Sequence, residues 1–150
     1  MKHKISIYIC LVIIFSSAFI PIAQAFDITE NIKEVERLFV KEKETVTTAN
    51  VVSLANKIIK QRHLYSADTI AKVFILLANT AVNSGNLNKA MQFSQDGLAL
   101  MGVKNSLRIN LLLKVVAGHY IEGRFHLANE LAQEVVALAR KTGTVKYLLI

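Results

Sequence analysis

His119 and His126 stand seven residues apart with Glu122 and Glu130 beside them, and imidazoles with carboxylates are a donor set that suits zinc or a similar divalent ion. Such a site needs its donors to converge on one point. Gly123 falls between the two histidines and reads as the end of a helix, so the pair is expected on different helices with nothing else directed at them. The acids Asp68, Asp96, Glu122, Glu130 and Glu134 all fit solvent faces of helices, and no serine, histidine and acid stand as a nucleophile with its base. Gly85 and Gly123 are isolated turn glycines, whereas a phosphate-cradling loop needs several together. The sequence therefore offers no catalytic residue, no cofactor-binding residue and no metal ligand, and an enzyme is not expected.

The N-terminus carries a different kind of information. Lys2, His3 and Lys4 form a short positive start, Ile5 to Ile20 is an apolar run broken only by serines, and Pro21 ends any helix there. Ala23-Gln24-Ala25 supplies the small residues that a signal peptidase requires, so residues 1–25 are read as an export signal cleaved before Phe26. The same charge-free stretch would also cross the roughly 30 Å of bilayer hydrocarbon as a retained anchor; Pro21 and the small residues favour cleavage. Cys10 lies inside the apolar run behind Ile7-Tyr8-Ile9, which lack the small side chains of a lipidation site. Since Cys10 is the one cysteine, the exported part has none, and packing must supply its stability.

With Lys2 and Lys4 gone, the net charge falls from +7 to +5, spread along the chain. The densest grouping, Lys57, Lys60, Arg62 and His63, sits where it complements a helix C-terminus, so a nucleic-acid partner is not expected. Nor does any constellation suggest a small-molecule substrate.

After Pro21 there is no proline, and apolar residues recur at three- and four-residue spacings, which predicts an all-α chain. Helices are placed at about Ile28–Lys43, Ala49–Arg62, Ala67–Asn83, Leu87–Met101, Ser106–Glu122 and Phe125–Lys141. Ser66 and Asn105 are the expected caps, and short turns such as Asn83-Ser84-Gly85-Asn86 predict antiparallel hairpins. Self-similarity is the most informative feature. Leu54-Ala55, Phe93-Ser94 and Leu131-Ala132 recur at steps of 39 and 38, each followed by a second apolar or small pair. Gly85-Asn86-Leu87 with Ala90 recurs, 38 residues on, as Gly123-Arg124-Phe125 with Ala128. Glycine permits the tight turn, the apolar residue two later staples the hairpin, and alanine lets two backbones approach.

At these residues the chain resembles the tetratricopeptide repeat family, whose unit is a helix-turn-helix of about 34 residues. Phe74, Leu77, Ala78 and Ala90 stand at family positions in one repeat; in the next, Leu112, Val115 and Val116 are merely apolar and Ala128 fits. Ala81 and His119 replace the family's tyrosine, and the closing proline is missing. The resemblance implies antiparallel hairpins stacked as a short solenoid over residues 26–146, with a concave face lined by each repeat's first helix. It also implies that this face binds protein or peptide, and Lys72, Asn79, Asn83, Lys114 and Tyr120 are its candidate contacts.

A step of 38 carries Val73 to Leu111 to Leu149 and Phe74 to Leu112 to Ile150, so residues 147–150 read as the start of a further repeat helix in a longer chain. The expected function is that of an exported, periplasmic helical-repeat adaptor for a protein or peptide. The alternative is the periplasmic sensor region of a larger membrane signalling protein of diguanylate cyclase or histidine kinase type. In either reading the chain meets the membrane only through its signal or through a segment beyond Ile150.

Overall fold

A computed structural model describes residues 24–40 and 48–143, so the expected export signal, apart from Gln24 and Ala25, and the helix start expected at 147–150 lie outside the described residues. By its contacts the chain divides into two units, residues 1–34 and 35–150. The described residues are helical, with no strand. Residues 24–40 form α1, followed by α2 (Thr48–Lys60), α3 (Ala67–Asn83), α4 (Leu87–Leu98), α5 (Asn105–Ile121) and α6 (Phe125–Thr142), with a short 3-10 turn at Arg62–Leu64. In the first unit, Thr29 returns its hydroxyl to Ala25 O at 2.9 Å.

In the second unit every helix from α2 to α6 packs on its neighbour in sequence, and α3 also packs on α5. The burial pattern follows from that arrangement. α2 buries one stripe, Val51, Ala55 and Ile58, at spacings of four and three. α3 has neighbours in α2, α4 and α5, and it buries residues around much of its circumference, from Thr69 through Val73, Ile75 and Leu77 to Ala81. α4 buries only small residues, Ala90, Ser94 and Gly97, and the corresponding stripe of α6 is Ala128, Val135 and Ala139. Ala71, Ile75, Val103, Leu107 and Leu111 form the core between α3 and α5, while Ile109, Leu112, Val135 and Ala139 form the one between α5 and α6.

The two hairpin turns repeat bond for bond. At the end of α3, Gly85 N donates to Val82 O at 2.9 Å and Asn86 N to Ala81 O at 2.8 Å. At the end of α5, 38 residues on, Gly123 N donates to Tyr120 O at 3.1 Å and Arg124 N to His119 O at 2.8 Å. These bonds satisfy the carbonyls a helix end leaves over, and they require a left-handed residue, supplied by Gly85 at φ 77° and Gly123 at φ 74°. No heavy atom stands within 4 Å of where a Cβ would be at either glycine, so the cost of adding one is conformational alone. Gly85→Ala and Gly123→Ala are each expected to lose about 1 kcal/mol, measured by urea unfolding.

Several expectations need correction. α4 stops at Leu98, not Met101, and Leu98 O at its end accepts from Arg108 Nη1 at 3.2 Å. The other guanidinium nitrogen of Arg108 pairs across helices with Glu134 at 3.6 Å, and Glu134 is exposed, as expected of an acid on a solvent face. Ser66 caps α3, accepting from Thr69 N at 3.1 Å, as its type predicts. Asn105 does not cap α5: it is the first helical residue, and Lys104 holds the cap position without a side-chain bond. Phe125 does not bury itself as a staple but remains 59% exposed.

The missing cap is replaced from another helix. Asp68, in the first turn of α3, accepts Lys104 N at 2.9 Å through Oδ1 and faces the Lys104 ammonium at 3.1 Å through Oδ2. Partial burial works to raise its pKa, but the Lys104 amide and ammonium outweigh it and hold the carboxyl below its ordinary value. A depressed folded value means that this contribution is present in full above the unfolded pKa and is lost as pH falls through the folded one. Asp68→Asn is expected to cost about 1 kcal/mol at pH 7. Denaturant midpoints of the two proteins should converge as the pH drops below about 4.

Candidate functional site

Lys72, Asn79 and Asn83 are seven and four residues apart, which sets them within about 40° of one another on α3. Lys72 is half-buried: its ammonium pairs with Glu36 at 2.5 Å and lies 5.5 Å from the centre of the Phe39 ring. Asn79 is half-buried and Asn83, the last residue of α3, is exposed. Lys114, half-buried on α5, takes the position that Leu76 has on α3 when the 38-residue step is applied. The first three thus share one stripe of α3, and Lys114 stands on the next first helix, α5. Tyr120 does not join them, because six residues carry it about 120° around α5 from Lys114. It stands 64% exposed at the hairpin turn, edge-on to Phe125 with ring centres 5.2 Å apart.

A second feature was not foreseen. Between the α3–α4 turn and the end of α5 lies a groove of about 410 Å3, lined by Ser84 to Asn88, Met91, Gly118, Ile121 and Glu122. Gly118 gives it depth, since a Cβ there would stand 2.9 Å from Met91 Sδ. The polar groups around it are committed locally. The Ser84 hydroxyl donates to Ala81 O at 2.9 Å, and Asn86 Oδ1 accepts from Lys89 N at 3.0 Å as the cap of α4.

Arg124 contacts two residues of that lining. Its Nε donates to His119 Nδ1 at 2.8 Å, its Nη2 pairs with Glu122, and the same nitrogen reaches Met91 Sδ at 3.9 Å. Partial burial, and then the charge of Arg124, hold the His119 pKa below its ordinary value, so the imidazole accepts in its neutral form. Glu122 is exposed, as expected, and is the ion-pair partner of Arg124. The two histidines considered as a metal pair have different partners: His119 bonds to Arg124, while His126 pairs with Glu130 at 3.4 Å within α6. In sequence the only signal of this cluster was Gly123-Arg124-Phe125, which reads as a turn and says nothing of where the guanidinium points.

These features define a class, an all-α protein of consecutively packed helices. No protein-family model, curated protein or solved structure matches the chain.

Proposed function

We propose that this chain is an exported helical-repeat scaffold of the tetratricopeptide type, which binds a protein or peptide and performs no catalysis. The observation that carries the reading is the 38-residue repetition of local structure. Helix caps at Ser66 and Lys104, turn glycines at Gly85 and Gly123, and second-helix caps at Asn86 and Arg124 all recur at that one step. A repeated hairpin buries its faces against the next hairpin and presents the same edge again and again, which suits an extended ligand better than a compact one. Asn79, Asn83 and Lys114, on the first helices of successive hairpins, are polar side chains suited to such a ligand, while Lys72 is paired with Glu36. Amides donate and accept, as the backbone of a bound peptide would require.

The test is a selection from a displayed random-peptide library against the purified protein, followed by affinity measurements. Peptides enriched on the protein should lose at least about tenfold in affinity on the triple variant Asn79→Ala, Asn83→Ala, Lys114→Ala, a loss of about 1.4 kcal/mol. Retained affinity would remove the edge from the reading, and the absence of any enriched peptide would remove peptide binding. Export is tested separately by fusing residues 1–25 to a reporter enzyme that is active only outside the cytoplasm.

A further inference from the structure

Arg124 is both the last residue of the α5 hairpin turn and the cap position of α6, and its side chain turns back over the end of α5. One guanidinium thereby joins His119, which is not part of the groove lining, to Glu122 and Met91, which are. The bond from Nε needs a lone pair on Nδ1, and only the neutral imidazole has one there. In the imidazolium that nitrogen carries a proton, so two N–H donors and two positive charges would face each other at 2.8 Å.

The surrounding charges do not offset this. Glu122 is the one carboxylate of the cluster and would be left to two competing cations. On α4 the group facing Arg124 is the uncharged thioether of Met91, and the Lys89 ammonium of that helix lies over Phe93 at 5.7 Å. On α6, His126 is paired with Glu130. The geometry points to an acid-operated latch: protonation of His119 releases Arg124 from the end of α5 and loosens the Glu122 and Met91 wall of the groove. This stands apart from the peptide-binding edge and does not depend on it. The direction of the His119 shift is consistent with it, since partial burial and the neighbouring guanidinium keep the latch closed at neutral pH.

The experiment is an NMR titration of the folded chain, following the His119 ring nitrogens, the Arg124 Nε–H and the Met91 methyl. His119 should hold the Nε2–H tautomer at neutral pH and titrate below the ordinary value of about 6.5, with the Arg124 and Met91 signals moving at the same midpoint. Arg124→Gln should shift the His119 midpoint upward and abolish the pH response of Met91. His119→Gln keeps a neutral acceptor at the position and should leave the Met91 methyl stationary over the same range. A Met91 signal that ignores the His119 titration in the unmodified protein would overturn the latch, as would a response that survives His119→Gln. Circular dichroism of each variant confirms that the helices under comparison are intact.

Discussion

Leu111→Ala is expected to destabilise the protein by about 4 kcal/mol, near the upper end for removal of a buried leucine side chain. Leu111 has no exposed surface and lies in the cluster with Ala71, Ile75, Val103 and Leu107, where α5 meets both α3 and α4. The cost of such a truncation depends on whether the surroundings collapse into the space left behind. Here Gly97, directly against the Leu111 methyls, and Ala71 of the same cluster have almost no side chain to move inward. Against a total stability of about 5 to 15 kcal/mol for a domain of this size, the loss would leave the fold marginal at room temperature. Leu113→Ala, on a half-buried position of the same helix, provides the comparison and should cost less than half as much. Equal midpoints for Leu111→Ala and the unmodified protein in urea would mean that α5 is not seated as described.

The packing order of the helices was legible because it depends on periodicity, and periodicity survives without any knowledge of tertiary contacts. Ala67–Asn83 was read correctly at both ends because Ser66 and Gly85 are local signals that act on their own helix. The ends that were misread are those with partners from elsewhere. α4 is three residues shorter than its apolar pattern suggests, and the carbonyl of Leu98 at its end is met by Arg108, ten residues further on. α5 begins without a side-chain cap of its own, and Asp68, 36 residues earlier, accepts the amide of Lys104 at its start. Neither bond leaves a mark on the local sequence.

The same distinction separates the two candidate sites. Lys72, Asn79 and Asn83 share a stripe of α3 because helical spacing alone brings them together. Tyr120 was grouped with them by its place in the repeat, although the helix turns it onto another face. The pairing of Lys72 with Glu36 was equally invisible, since it needs α1 to be placed first. The groove and the Arg124 cluster depend on two turns being side by side, and on a glycine in α5 facing a methionine in α4. A reading that used the 38-residue step to lay hairpins against one another, rather than only to count them, would have put Gly118 and Met91 in view.

Gly97→Val is expected to cost about 3 kcal/mol, the largest effect predicted for an added side chain. A glycine inside a helix is normally a liability, and replacement by a residue with a Cβ gains up to about 1 kcal/mol in backbone terms. At Gly97 that gain is overridden. A Cβ would stand 2.9 and 3.0 Å from the two methyl carbons of Leu111 and 3.2 Å from Phe74 Cβ, and valine adds two more carbons. The Leu111 methyls end a side chain that ordinarily could move, but this one is fully buried, and the Phe74 Cβ is fixed to its backbone. The two large predictions are therefore coupled. In the double variant Gly97→Val, Leu111→Ala, the valine enters the space the leucine vacates, and the combined loss should fall at least about 1.5 kcal/mol short of the sum of the single losses. Additive losses would show that the α4 and α5 backbones do not approach each other through Gly97. A cycle that closes with strong coupling would show that one missing Cβ sets the distance at which these two helices pack.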